Sequence, residues 1–406
     1  MPRTLPLTFI LSTVAIDAMG IGLILPVMPD LLQEISQGDL AYAAIWGGIL
    51  AAAFAVMQFL FGPVIGALSD QFGRRPILLA ALAAMAGVYL VMALAGALWV
   101  LLLARLISGI TAATQSTATA YVADVSRPED KAANFGLISA AFGAGLILGP
   151  LVGGLLGEFG TRAPFYAAAL LAAISMAFGF VVLPETVTER IRRPLNWRRA
   201  NPFVSFAALG RLPGVGILLA VFFLYQVAFF VYPAIWAYFA RAQFGWDSGM
   251  VGLSLTVFGV AMVIVQAWAI RLILARMGER MTVAIGLLFS IGTFAIMSVI
   301  ANGTLALILT PLTALGAVIV PALQGLMSRI VSDDAQGELQ GVLTSIGAIS
   351  MILSPVLVTQ TFAYFTSERA PIYLPGAPFL VSMALMIVGA AVFLPLRRQE
   401  MPQTDV

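Results

Sequence analysis

The sequence predicts an all-α integral membrane protein with twelve transmembrane helices in two six-helix repeats. Hydrophobic residues make up 61% of the 406 positions and charged residues only 10%, which is too few charges to cover a soluble protein of this length. Apolar stretches of about 20 residues recur along the whole chain, and each can cross the hydrocarbon core as a helix. Matching residues also recur at one constant spacing, which predicts the two repeats.

Twelve apolar segments follow one another along the chain. We place them at residues 6–29, 43–68, 76–97, 98–123, 134–158, 163–183, 213–240, 249–275, 281–301, 303–330, 338–365 and 374–396. The first is too long for the apolar core of a signal peptide, so we interpret it as an uncleaved span. The longest loop then separates an N-terminal bundle (1–183) from a C-terminal bundle (213–406), and we predict that this linker (184–212) is cytoplasmic.

The basic residues predict the orientation in the membrane. With alternating spans, 17 of the 21 Lys and Arg residues fall on one side, three fall on the other, and Arg105 lies inside a span. Because basic residues are enriched in cytoplasmic loops, both termini are predicted to lie in the cytoplasm.

The sequence contains no Cys and no His, which limits the metal-binding, redox and proton-transfer chemistry that its side chains can perform. Without Cys there is no disulfide or thiolate ligand, and without His the commonest metal ligand and proton shuttle is lost. Because the basic residues are spread among short loops, the net charge of +2 does not indicate nucleic-acid binding, and we expect no nucleic-acid partner. With no nucleophile–base constellation and no soluble domain, we expect neither an enzyme nor a receptor, and we expect no cofactor and no metal.

The two halves of the sequence repeat each other at a spacing of 205 residues. The matching pairs are Gly73 and Gly278, Arg75 and Arg280, Gly136 and Gly341, and Pro150 and Pro355. Matches at one spacing in two separate regions indicate a duplication, and repeated halves around a midplane site are typical of transporters.

Asp17 is the one acidic residue deep within a predicted span. Arg105 lies within the fourth span, where an arginine costs about 2.5–3.5 kcal/mol and usually faces a cavity or a partner. Counted at 1.5 Å per residue from the span ends, the two depths differ by only about 2 Å. The sequence therefore permits an interaction between them. A structural role for Asp17 and snorkelling of Arg105 remain the alternatives.

Other spans carry small and polar residues that have two interpretations each. In "GLISAAFGAGLILGPLVGG", Gly145, Gly149 and Gly153 are four residues apart and form one smooth helix face, as in ordinary small-residue packing or in a moving contact. Glutamines within spans either join helices or line a cavity. These glutamines are Gln58, Gln115, Gln226, Gln266 and Gln324.

Together the motifs resemble the major facilitator superfamily, and the resemblance covers the whole chain. "GALSDQFGRRP" is similar to its loop signature, "LLLARLISGITAA" to the fourth-span signature of proton-coupled members, and "MGIGLILPVMP" to the first-span signature of drug:proton antiporters. The fifth span fits the antiporter signature at Gly136, Gly145, Gly149, Pro150, Gly153 and Gly154. "DAMGIGLILPVMP", "GRRPILL", "RLISGITAAT", "FGWDSGMVGLSL" and "PALQG" resemble most the tetracycline:proton antiporters.

This resemblance implies roles for several residues. Asp17 and Arg105 would serve proton coupling. A conformational charge cluster that stabilises the outward-open state would comprise Asp70, Arg74, Arg75 and Asp124. The contact between the halves would be formed by Gly145, Gly149, Pro150 and Gly153.

The chain also departs from the resembled group at polar positions. Gln71 replaces a basic residue of the loop signature, while Val88, Met262 and Ser290 stand where that group has Asp, His and Asp. We expect a central cavity lined by Gln58, Gln115, Gln226, Phe230, Trp236 and Gln324, where amides offer hydrogen bonds without charge and aromatic rings offer apolar contact.

The function predicted is therefore secondary active transport. The protein would work as a multi-pass monomer in the inner membrane and export an amphiphilic drug-like compound, with tetracycline as a candidate, in exchange for protons by alternating access. Its partners would be this small molecule, protons and the lipid bilayer. The alternative is a proton-coupled or passive transporter of a small metabolite.

Overall fold

The computed structural model describes residues 4–112, 114–187, 192, 201–203, 212 and 214–396, apart from the side chains of Thr4, Leu5 and Gln115. In this part of the chain every regular element is helical. The α-helices are α1 (Thr4–Ile24), α2 (Met28–Ser36), α3 (Leu40–Phe72), α4 (Arg74–Leu94), α5 (Leu98–Thr111), α6 (Thr114–Val125), α7 (Lys131–Gly157), α8 (Ala163–Val182), α9 (Gly216–Phe229), α10 (Val231–Phe244), α11 (Ser248–Ile264), α12 (Ile270–Val299), α13 (Gly303–Thr313), α14 (Ile319–Ile330), α15 (Gln336–Thr366) and α16 (Ala377–Phe393).

Among the described residues, ten helical stretches are long and apolar enough to cross a membrane. One of them, Ser248–Val299, has 52 residues, contains the predicted span 249–275 and includes all but the last two residues of the span 281–301. Gly278 divides it, because its φ of 70° and ψ of 167° are not helical. The shorter apolar helix α16, Ala377–Phe393, lies within the last predicted span, 374–396. The prediction of an all-α, multi-pass membrane protein is confirmed.

Several predicted spans are interrupted helices rather than continuous ones. The first helix ends at Ile24, and Pro26 follows in a turn before α2, because proline has no N–H to continue the helical bonding. A 3₁₀ segment, Ala314–Val318, separates α13 from α14, and a π-helical segment, Val265–Ala269, joins α11 to α12.

The interruptions recur at the spacing of the sequence repeat. Leu25, in the turn after α1, corresponds at 205 residues to Phe230, which separates α9 from α10. Ala112, where α5 ends, corresponds to Ala317 in the 3₁₀ segment. The two halves therefore share the positions of their helix breaks as well as their motifs.

The chain forms two compact units. The first contains residues 1–39, 50–202 and 246–256, and the second contains 40–49, 203–245 and 257–406. These units differ from the predicted bundles, since the first turns of α3 cluster with the second unit and those of α11 with the first. Most of the predicted linker, 184–212, lies outside the described residues.

Each unit has its own packed interior. In the first unit, α1, α4, α6, α7 and α8 meet around buried residues that include Phe9, Tyr121 and Ile138. In the second unit the interior is aromatic. Its members are Tyr225, Phe229, Tyr232, Trp236, Phe239, Phe258, Phe294 and Phe379.

Candidate functional site

The glycine face of α7 lies directly against α1. A Cβ added at Gly149 would stand 2.6 Å from the carbonyl oxygen of Met19 and 2.7 Å from the Cα of Gly22. Gly145 and Gly153 approach the α1 backbone as closely, which is the close helix contact that small residues allow. The nearest atoms to these three glycines belong to α1, in the same half of the sequence, so a contact between the halves stays a prediction for them. Their spacing indicated a smooth face but not its partner.

The contact of α7 with the second half of the sequence involves neighbouring positions. A Cβ added at Gly154 would lie 2.5 Å from the carbonyl oxygen of Ser248 and 3.2 Å from the Cα of Gly252, both in α11. The Ser248 hydroxyl donates to the Gly154 carbonyl at 3.3 Å, and the Pro150 carbonyl lies against Gly252. This start of α11 is the segment that clusters with the first unit.

Asp17 and Arg105 both belong to the first unit but form no direct pair. Asp17, in α1, has no ion pair with any residue that the structure describes. The Arg105 guanidinium, on α5, lies 5.9 Å from the ring centroid of Phe54 in α3. The matching depths predicted from the sequence permitted direct contact, and the side chains do not make it.

Tyr89 of α4 stands near both charges. Its hydroxyl oxygen lies 2.6 Å from the position that a Cβ on Gly20 would take, so it touches α1 within one turn of Asp17. Asp17 and Arg105 are the charged groups near this phenol among the described residues. Sequence analysis did not single out Tyr89, because a tyrosine in an apolar helix most often belongs to the core.

A charge cluster forms where α3, α4 and α6 end or begin. The Arg74 guanidinium lies 2.5 Å from Asp70 Oδ1 and 3.3 Å from Asp124 Oδ2. Arg75 points elsewhere, since its Nη2 donates to the Phe180 carbonyl at 2.7 Å and its guanidinium lies over the Phe180 ring. The structure therefore brings together three of the four predicted residues, and Arg75 ties α4 to α8.

Glu185 follows α8 and joins the start of α4, and sequence analysis did not single it out. Its carboxylate accepts hydrogen bonds from the backbone N–H groups of Arg74 at 3.0 Å and Arg75 at 3.2 Å, which caps the start of α4. Gly73 has a φ of +110°, and a Cβ there would strike this carboxylate. Capping motifs are read within one helix turn, so an acid 111 residues away gave no signal.

The second half repeats the charge pair with its signs exchanged. Arg329 Nη2 lies 3.0 Å from Glu279 Oε1, and these residues follow Asp124 and Arg74 by the same 205 positions. The glycine that precedes Glu279, Gly278, again has a positive φ. An Arg–Asp pair in one half thus corresponds to a Glu–Arg pair in the other.

Trp236 belongs to the packed interior of the second unit. It is 2% exposed, and its ring stands 6.4 Å from that of Tyr232 and 5.8 Å from that of Phe239. The prediction that Trp236 lines an open cavity is therefore wrong. The sequence does not distinguish an aromatic residue that packs in the protein interior from one that binds a substrate.

The other predicted cavity residues are more accessible within their own units. Phe230 lies at the break between α9 and α10 and is half-buried. The glutamines that are half-buried within spans are Gln58, Gln226 and Gln324. The side chain of Gln115 lies outside the description.

Three positions at which the tetracycline:proton antiporters have charged or titratable residues carry uncharged side chains in this protein. Val88 is buried and lines an apolar groove of about 460 Å³ between α4 and α5. Ser290 is buried, with its hydroxyl 2.9 Å from where a Cβ on Gly316 would lie. Met262 packs beside the π-helical segment. Among the described residues, no group of three or more His, Cys, Asp or Glu could hold a metal ion.

A multi-pass helical protein with two equivalent halves, an acid within a span and broken helices at equivalent positions is a membrane transporter and not an enzyme. The break positions and the constant spacing extend over both halves. The chain belongs to the Major Facilitator Superfamily, whose family model matches residues 10–235 and 217–405.

Individual relatives agree with this family and with the resemblance of the motifs. The chain is 40% identical over 382 residues to "Tetracycline resistance protein, class C" from Escherichia coli, covering 94% of each chain. The crystal structure of the human organic anion transporter MFSD10 (TETRAN) superimposes with a TM-score of 0.67 at 26% identity, covering 97% of this chain and 100% of that one. A bacterial homologue of the human lysosomal transporter Spinster has a TM-score of 0.79 at 15% identity, covering 99% of each chain, which shows the fold alone.

Proposed function

We propose that the protein is a drug:proton antiporter that exports an amphiphilic compound, with tetracycline as a candidate. The observation that carries this proposal is Asp17, an acid within a membrane-spanning helix that has no ion pair among the described residues. An acid in such a position marks a proton pathway by default, because a permanent charge there is costly. The 40% identity to a tetracycline resistance protein supports the choice of a drug as the transported compound.

The topology follows from the charge distribution. Six spans in 1–183 and six in 213–406, joined by a cytoplasmic linker at 184–212, place both termini in the cytoplasm, since 17 of the 21 basic residues then face that side. The protein resides in the inner membrane and acts as a monomer, with substrate and protons taking turns at a site reached alternately from each face.

The substrate contacts are amides and one aromatic ring. Gln58, Gln226, Gln324 and Phe230 are half-buried within their spans, and Gln115 belongs to the same set proposed from the sequence. With Val88 and Ser290 in place of acids, this set binds neutral hydrogen-bonding groups better than a metal chelate. The protein is therefore expected to protect cells against several unrelated amphiphilic drugs and only moderately against tetracycline.

Proteoliposomes with an imposed pH gradient test this proposal. The wild-type protein should accumulate tetracycline or ethidium when the gradient is present and only equilibrate it when the gradient is absent. Asp17→Asn should abolish accumulation and retain exchange of labelled for unlabelled drug. Asp130→Asn makes the same change at an exposed position before α7 and should accumulate drug like the wild type.

Two results would contradict the antiport mechanism. The first is full gradient-driven accumulation by Asp17→Asn at matched protein levels. The second is wild-type transport that ignores the pH gradient. The second result would favour the alternative, a passive transporter of a small metabolite, for which the neutral side chains at Val88 and Ser290 are the supporting observation.

A further inference from the structure

A buried phenol touches the helix that carries Asp17. Tyr89 is 6% exposed, and its hydroxyl oxygen lies 2.6 Å from the position of a Cβ on Gly20. Gly20 follows Asp17 by three residues, which places both on neighbouring turns of one helix face. A side chain at position 20 would push the phenol away, so the absence of a Cβ there lets Tyr89 approach the α1 backbone beside the acid.

Two opposite charges lie near this phenol, Asp17 on α1 and Arg105 on α5. Val88 and Ala104, the chain neighbours of Tyr89 and Arg105, line one groove between α4 and α5. Of the other helices packed against α4, α8 carries no Asp, Glu, Lys or Arg, and α6 carries only Asp124, which is held in the Arg74 cluster. A phenol can donate one hydrogen bond and accept others, whereas a guanidinium only donates and a carboxylate only accepts. Tyr89 is thus the group whose chemistry matches both neighbours.

We infer that Tyr89 is the positioning residue that couples Arg105 to Asp17: its hydroxyl donates to the ionised Asp17 carboxylate and accepts from the Arg105 guanidinium, so that the acid releases its proton to the aqueous side without a direct ion pair. This inference rests on the proposed proton coupling. It assigns Tyr89 no proton of its own to exchange with solvent. The phenol keeps its O–H bond throughout, and only its hydrogen-bond partners change.

The consequence is a defined change in the pH at which Asp17 binds its proton. A hydrogen bond to a charged group contributes more than one between neutral groups, and it is available only to the ionised carboxylate. Tyr89→Phe removes it and keeps the ring in place. The protonation midpoint of Asp17 should therefore rise by about one pH unit.

Infrared difference spectroscopy of the purified protein measures this without any substrate. The protonated-carboxyl band that disappears in Asp17→Asn is followed as a function of pH in the wild type and in Tyr89→Phe. The matched control is Tyr225→Phe, which removes a buried phenol hydroxyl that donates to the Gly316 carbonyl at 3.0 Å in the other unit. Gradient-driven drug accumulation in proteoliposomes is recorded for the same variants.

The expected result is an upward shift of the Asp17 band and of the transport pH profile in Tyr89→Phe, with neither shift in Tyr225→Phe. An unchanged band midpoint in a folded Tyr89→Phe variant would overturn the inference, and so would an equal shift in the control. If the band shifts as expected and the wild type moves no drug under any gradient, the coupling stands and the proposed function fails.

Discussion

Replacing Gly149 by alanine should separate α1 from α7. The added Cβ would lie 2.6 Å from the Met19 carbonyl oxygen and 2.7 Å from the Gly22 Cα, while ordinary contact begins at 3.4 Å, so the helices must move apart by about 0.8 Å. Overpacking of this kind costs about 1–3 kcal/mol. The gain from replacing a helical glycine returns about 0.5–1 kcal/mol. We therefore expect Gly149→Ala to destabilise the protein by up to about 2.5 kcal/mol.

Gly143→Ala is the matched control on the same helix. No heavy atom lies within 4 Å of a Cβ added there, so only the helix-propensity gain of about 0.5–1 kcal/mol remains and the variant should be more stable than the wild type. Thermal unfolding of the purified proteins in detergent compares the two. Because α1 carries Asp17, Gly149→Ala should also lower gradient-driven accumulation per folded molecule. Equal unfolding midpoints for the two variants would refute the close packing of α1 on α7.

Three further changes test other parts of the structure. Asp124→Asn removes the 3.3 Å ion pair with Arg74 and should cost about 1–3 kcal/mol, measured by thermal unfolding; a wild-type midpoint would argue against the cluster. The hydrogen bond from Thr161 holds the pKa of Glu34 below its usual value of 4.5, so its stabilisation is full above pH 4.5 and is lost on acidification through the lower, folded-state pKa. Glu34→Gln should therefore flatten the acid limb of a stability–pH curve by under about 1 kcal/mol, since the site is exposed; an unaltered limb would contradict this. Trp236→Ala should cost about 3–5 kcal/mol as a core truncation and leave the relative rates for different drugs unchanged in the protein that folds; altered selectivity would return Trp236 to the binding site.

Sequence patterns predicted the membrane helices because apolar length alone decides whether a segment can cross a bilayer. They also identified Asp17, since a lone acid within an apolar run needs no partner to be noticed. Pairs of identical residues 205 positions apart could also be found by comparing the two halves of the sequence. The helix break at Ala112 was missed, because a short turn within an apolar run does not interrupt the hydrophobic pattern. The break at Leu25 is marked by Pro26, but counting apolar residues takes no account of a proline.

Contacts between distant segments were beyond such patterns. The spacing of the α7 glycines indicated a smooth face, and only the packing shows that α1 covers it. Glu185 caps a helix that begins 111 residues earlier, and Tyr89 gains its interest from its position beside Gly20. In each case the role of the residue depends on a contact with a residue distant in the sequence, and one sequence does not show such contacts.

The exchanged signs of the Arg74–Asp124 and Glu279–Arg329 pairs bear on the history of the duplication. Exchanging the two charges of such a pair takes two substitutions, and after the first of them the pair is neutral or repelling. In both halves the two residues carry opposite charges, but the positive charge is on the first residue in one half and on the second in the other. If the α12 segment alone took the place of α4, Glu279 would face Asp124, and the two negative charges would repel each other. The two copies are therefore no longer interchangeable.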